Sequence, residues 1–158
     1  MIRIMFVCHG NICRSPMAEF VFRDLVEKAW LGDRILVASS ATSTEEIWGG
    51  VGNPIYPPAK EELRRNHIPF TERRAVLLTA SDADRYDLFV GMDNANIRNM
   101  HRILGVYGAE RIHRLMDFTN RPGEVADPWY SDRFDVAFRD IADGCEGLLR
   151  WILQQNMI

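Results

Sequence analysis

A nine-residue stretch near the start of the chain, Cys8-His9-Gly10-Asn11-Ile12-Cys13-Arg14-Ser15-Pro16, constrains the fold more than any other feature. The run before it, Ile2 to Val7, is nearly all apolar and reads as a strand covered on both faces. The residues after it open a helix, with Ser15 suited to the N-cap and Pro16 to the first turn. Five residues separate Cys8 from Arg14, a loop short enough to curl into a bowl. Its backbone N–H groups can converge on one point, and Gly10 is expected to relieve the steric limits on the curl. Those amides, the helix N-terminus and the Arg14 guanidinium together make a site for a tetrahedral dianion. The same positive surroundings favour Cys8 as thiolate, the form that attacks. A lone Cys at a strand end is more often a buried core thiol. Its placement between strand and helix, with Arg-Ser closing the loop, favours the anion bowl.

Strand and helix alternate along the rest of the chain. Ile35–Ala38, Asp87–Val90 and Arg111–Leu115 read as further strands. Helices are expected over Pro16–Ala29, Pro58–Asn66, Asp82–Tyr86 and Asn94–Leu104. A final helix over Arg133–Leu153 is the clearest element, because Phe134, Ala137, Phe138, Ile141, Cys145, Leu148, Leu149 and Ile152 recur at helical spacing. This alternation implies right-handed crossovers and a three-layer α/β domain, with a parallel sheet between helices on both faces. Ligands in such sheets sit at the carboxyl ends of strands, near the point where strand order reverses. The loop Asp117–Ser131 follows the last strand and so shares a rim with the Cys8 loop. Gly49-Gly50-Val51-Gly52-Asn53-Pro54 is the other prominent loop.

A length of 158 residues suits one domain, residues 1–158, with a real core. A formal net charge of −3 argues against a dedicated nucleic-acid binder, although a pocket's local field can differ in sign from the total. No apolar stretch is long enough for a membrane span, and Met1–Val7 lacks the pattern of a signal peptide. Three cysteines, an odd number, fit reduced thiols in the cytoplasm rather than a disulfide framework. His67, His101 and His113 are scattered, and Cys8, His9 and Cys13 do not match a zinc-knuckle spacing. No metal and no cofactor is expected. Glu61-Glu62 and Arg64-Arg65 read as a solvated helix face.

Val7 through Glu19, VCHGNICRSPMAE, resembles the signature of the low-molecular-weight protein tyrosine phosphatases. Further likenesses follow in order: Ser39–Ser43, Met92-Asp93 with Asn96, and Asp127-Pro128-Trp129-Tyr130. The resemblance implies a flavodoxin-like fold around a four-stranded parallel sheet. It also implies metal-free hydrolysis of phosphotyrosine in proteins, or of small aryl phosphates, through a phosphocysteine on Cys8 with release of inorganic phosphate. His9, Gly10, Asn11, Ile12, Cys13 and Arg14 would hold the phosphoryl group. Asp127 would protonate the leaving oxygen and then activate water. Such an acid must start protonated, so turnover is expected to peak at mildly acidic pH. Ser15 would hydrogen-bond the thiolate, and Asn11 with Ser40 would brace the loop. Ile12, Trp48, Trp129 and Tyr130 would wall the pocket, although exposed aromatics on loops can simply pack. Protein arginine phosphatases resemble this family but carry Thr where Ile12 stands, and Ile favours phosphotyrosine. By resemblance Cys13 is either a redox partner, forming a reversible disulfide when Cys8 is oxidised, or a small buried hydrophobe.

Some positions depart from the family pattern. His9 replaces the Leu most often found there. Thr71–Ala75 lacks a histidine that many members use to brace the Asn of the bowl, with Glu72 or Thr71 as the nearest substitutes. Trp48-Gly49-Gly50-Val51 extends its loop, and Trp129 replaces the first of two tyrosines, leaving only Tyr130. A thiol-linked arsenate reductase shares the loop and fold, but it needs two close downstream cysteines where only Cys145 remains. A binding module without turnover would be expected to lack the nucleophile, the Arg or the acid; all three are present.

Overall fold

Six of the seven residues of the first strand, Ile2–Cys8, are buried, as a strand flanked by neighbours on both sides and covered on both faces must be. The computed structural model describes residues 1–158. The chain runs β1 (Ile2–Cys8), α1 (Arg14–Lys28), β2 (Ile35–Ala41), β3 (Ile47–Trp48), β4 (Val51–Gly52), α2 (Pro57–Arg65), β5 (Leu88–Gly91), α3 (Asn94–Leu104), β6 (Ile112–Arg114), α4 (Pro128–Ser131) and α5 (Phe134–Gln154). Four parallel strands lie in the order β2-β1-β5-β6. The chain moves outward from β1 to β2 and then returns to β5 on the other side of β1. The crevice at the carboxyl ends of β1 and β5 is therefore the switch point, and Cys8 ends β1 there.

Side chains alternate across the sheet. Ile2, Ile4, Phe6 and Cys8 face the larger core, where α1, α2 and α5 pack. Met5 and Val7 face a smaller core with Phe89, Met100 and Leu104, beneath α3. This is the expected three-layer, flavodoxin-like arrangement. Phe6 meets Phe22 of α1 edge-on at 5.6 Å between ring centroids, the geometry aromatic pairs prefer. Cys145 is fully buried on the apolar stripe of α5. Gly147 lets that helix approach closely, for a Cβ there would stand 2.2 Å from the Phe118 carbonyl oxygen.

Several expectations shift. α1 begins at Arg14 with Cys13 in the cap position, so Ser15 lies inside the first turn rather than at the N-cap. Its hydroxyl is turned toward Cys8 and Asn11 instead. The helix expected over Asp82–Tyr86 is a single 3-10 segment, Ala80–Asp84, held by Asp82 accepting the Thr79 N–H at 2.9 Å. The Gly49–Pro54 loop contains a hairpin whose turn residues Gly49 and Gly50 both have positive φ, 58° and 80°, as a two-residue turn between twisted strands requires. Glu62 is not on a solvated face: it is buried, accepting from Arg65 at 2.9 Å. No helix is long and apolar enough to cross a membrane.

Candidate active site

The Cys8 sulfur is buried and has two close partners. Ser15 Oγ lies 3.0 Å from it and the Asn11 N–H donates to it at 3.3 Å. The loop is tied to the end of β2, where Thr42 and Ser43 N–H groups donate to the carbonyls of Cys8 and His9, each at 3.0 Å. The curl is made by Asn11, with φ at 61°, and not by Gly10. That left-handed region costs most residues about 1–2 kcal/mol, and Asn is among the few that tolerate it. Gly10 instead makes room, since a Cβ there would lie 3.1 Å from Glu46 Cγ.

Asn11 organises the underside of the bowl. Its Nδ2 donates to Ser15 Oγ at 2.8 Å and to Ser39 Oγ at 3.0 Å, and Ser39 donates to Glu19 at 2.5 Å. Ser40, expected in this role, is not there. Adjacent strand residues face opposite sides, and Ser40 Oγ is buried without a partner. The place of the missing histidine is taken by neither Glu72, which pairs with Lys60 at 2.8 Å, nor Thr71. It is taken by Arg73, whose guanidinium donates to the Asn11 carbonyl at 2.7 Å and to its side-chain oxygen.

Arg14 is buried at 3% side-chain exposure and gripped from two loops. Its Nη1 donates to Asp93 Oδ2 and to the Val125 carbonyl, both at 2.8 Å. The other Asp93 oxygen caps α3, accepting the Asn96 N–H at 2.8 Å. Burial works against the Arg14 charge, but Cys8, Asp93 and Asp127 outweigh it and hold the guanidinium above its ordinary pKa. Arg14 Nη2 lies 3.6 Å from Asp127 Oδ2. Asp127 is the N-cap of α4, its Oδ1 accepting the Trp129 N–H at 3.0 Å, so a backbone contact sets the carboxylate's orientation.

The cleft above the sulfur is lined by the whole loop from Cys8 to Arg14, by Asp127, Trp129 and Tyr130, and by Glu45 and Glu46. Trp129 packs at a tilt against Tyr56, ring centroids 4.9 Å apart, and is half exposed, while Tyr130 is exposed. Trp48 is not brought to the wall. The Gly49-Gly50 turn carries it on the hairpin, 75% exposed, and carboxylates stand where an aromatic was expected. His9 faces Glu45 at 3.0 Å. Cys13 is buried beside the bowl; burial pushes its thiol pKa up, with Cys8, Asp127 and Glu46 adding and Arg14 opposing. No group of three His, Cys, Asp or Glu side chains is placed to hold a metal ion.

The match that decides the family is to a model described as low molecular weight phosphotyrosine protein phosphatase, which spans residues 3–157. The chain belongs to this family. The low molecular weight protein-tyrosine-phosphatase YfkJ of Bacillus subtilis is 36% identical, with all of both chains covered. The low molecular weight phosphotyrosine protein phosphatase of Schizosaccharomyces pombe is also 36% identical, over 96% of this chain and 97% of that one. The crystal structure of YfkJ superposes with a TM-score of 0.91, covering 98% of this chain and 96% of that chain. This low-molecular-weight phosphatase thus carries a site in which three residues lie outside what the sequence pattern marks, Glu45, Glu46 and Arg73, while Ser39, within the Ser39–Ser43 likeness, takes the bracing place expected of Ser40. Asp93 was visible as a likeness, and Asp-x-x-Asn before a helix is a capping signal, but its grip on Arg14 was not foreseen.

Proposed function

We propose that this phosphatase hydrolyses phosphotyrosine in proteins, and small aryl phosphates, through a phosphocysteine on Cys8. The observation that carries the reading is one constellation: Cys8 Sγ 3.0 Å from Ser15 Oγ, beside a buried Arg14 whose Nη2 stands 3.6 Å from Asp127. The Cys8 thiolate attacks phosphorus, and the bond to the aryl oxygen breaks while Asp127 donates its proton to that oxygen. The Asp127 carboxylate then takes a proton from water, whose oxygen attacks phosphorus. The S–P bond breaks, phosphate leaves and the thiolate is restored, with Ser15 stabilising the departing sulfur. The amides from His9 to Arg14 and the Arg14 fork hold the phosphoryl oxygens. Ile12, Trp129 and Tyr130 flank the aryl ring.

In this reading residues 1–158 form one cytoplasmic catalytic domain that needs no cofactor, and Cys13 traps oxidised Cys8 as a reversible disulfide. The test is p-nitrophenyl phosphate hydrolysis in chelator, beside a Cys8→Ser variant. Metal-free turnover that the variant abolishes is expected. Phosphate binding without turnover would instead mark a binding module, and thiol-dependent arsenate reduction an oxyanion reductase.

A further inference from the structure

Arg73 does not line the cleft, yet it holds the phosphate loop at its tightest point. Asn11 is the one residue of the loop with a left-handed backbone. Arg73 Nη1 donates to its carbonyl at 2.7 Å while Nη2 donates to its side-chain oxygen, which also accepts the Val76 N–H at 3.1 Å. A trans peptide is planar, with C=O and the following N–H pointing in opposite directions. Drawing the Asn11 carbonyl toward Arg73 therefore turns the Ile12 N–H the other way, toward the bowl. Fixing the side-chain oxygen leaves Asn11 Nδ2 to face Ser15 and Ser39, and Ser15 faces the sulfur.

We propose that Arg73 is a positioning residue for phosphate capture, acting through Asn11 on the loop amides and on Ser15. The fork is what the role requires. A planar guanidinium reaches two oxygens of one residue at fixed angles, whereas an ammonium is a single point of charge. A guanidinium also stays protonated throughout the working pH range. Burial pulls its pKa down from the ordinary value, with Glu19 and Cys8 opposing. The brace is thus a permanent positive charge beneath an anion site. A purely structural role would be the fastening of residues 71–76 to the loop, and that role would show in stability alone.

The inference rests on the phosphatase reading for turnover, but phosphate binding tests it separately. Full-length Arg73→Met and Arg73→Lys variants are compared with the native protein by calorimetric titration with inorganic phosphate. The kcat and KM for p-nitrophenyl phosphate and thermal melting are measured alongside. Arg73→Met is expected to fold and to weaken phosphate about tenfold or more, the scale of a lost charge-assisted hydrogen bond, with kcat/KM falling in step. Arg73→Lys is expected to restore only part of the loss. In an Asn11→Ala background the penalty of Arg73→Met should shrink, since the bond to the Asn11 side-chain oxygen is already gone and only the one to its carbonyl is left to lose. A folded Arg73→Met variant with native phosphate affinity and kcat/KM would overturn the proposal, as would an equal penalty in both backgrounds. If Arg73→Met does not fold, Arg73→Lys decides, and native phosphate affinity in that variant overturns it. A native protein that binds phosphate but hydrolyses no aryl phosphate would defeat the phosphatase reading. The phosphate titrations would still judge Arg73.

Discussion

Replacing Asp127 with Asn separates two tasks that one side chain performs. Its Oδ1 caps α4 by accepting the Trp129 N–H at 3.0 Å. Asn caps about as well as Asp, so the turn that carries Trp129 and Tyr130 should stay in place, with stability changed by less than about 0.5 kcal/mol. What the amide lacks is a proton to give. Losing a general acid costs roughly 10²–10⁴ in rate, or about 2.7–5.4 kcal/mol of transition-state stabilisation. Phosphate binding should move the other way or not at all. The substitution replaces a group that can ionise 3.6 Å from Arg14 Nη2 with a neutral amide, which leaves the guanidinium at least as free for an anion. Steady-state kinetics with phenyl and p-nitrophenyl phosphate, beside phosphate titration, gives the readout. The loss in kcat/KM, which ends at departure of the aryl group, should be larger for phenyl phosphate, whose leaving oxygen needs the proton more. Asp127→Ala should match that loss and also lower the melting temperature, because the cap, worth about 1 kcal/mol, goes with it. The reasoning is refuted if Asp127→Asn loses phosphate affinity in step with kcat/KM, or lowers kcat/KM equally for both substrates.

The three thiols should differ in reactivity: iodoacetamide at neutral pH, followed by peptide mapping, should label Cys8 first and spare Cys13 and Cys145. Burial holds those two thiols protonated, and phosphate should protect Cys8. Acid stability should include a contribution from the Arg3–Asp87 pair, 3.2 Å apart. Burial raises the Asp87 pKa, but the hydrogen bonds from Arg3 prevail and depress it. Its contribution is therefore present above the unfolded value of about 3.9 and fades as pH falls through the folded value. Urea melts of Asp87→Asn against pH should show a shallower loss below about pH 4; an unchanged slope would exclude the pair. Gly147→Ala should destabilise by about 1–3 kcal/mol in denaturant titrations despite alanine's better helix propensity. A stabilised variant would show that the Phe118 backbone yields to the 2.2 Å approach.

The sheet and the bowl were legible because their signals are local. An apolar strand, a five-residue loop and a helix start lie within a few turns of chain, and the α5 stripe repeats over 21 residues. The bracing shell was not legible, because it depends on which distant side chains meet. Ser39 and Ser40 are neighbours in sequence, and only the pairing of β2 with β1 decides which one faces Asn11. Arg73 belongs to a segment without periodicity, 62 residues from the oxygen it holds. The aromatic character of Trp48 points to the wall, but the turn geometry of the next two glycines carries it elsewhere. The charge pattern of α2 gave no hint that Glu62 points inward, since its spacing matches that of an exposed residue.

Arg14 also sets an order of assembly. The carbonyl it holds belongs to Val125, 111 positions further along the chain. During synthesis the nucleophile therefore leaves the ribosome early, and the groups that complete its surroundings arrive among the last. A nascent or truncated polypeptide that stops short of Val125 would hold the guanidinium by Asp93 alone. Competence should arrive late, in one step, when the C-terminal fifth docks.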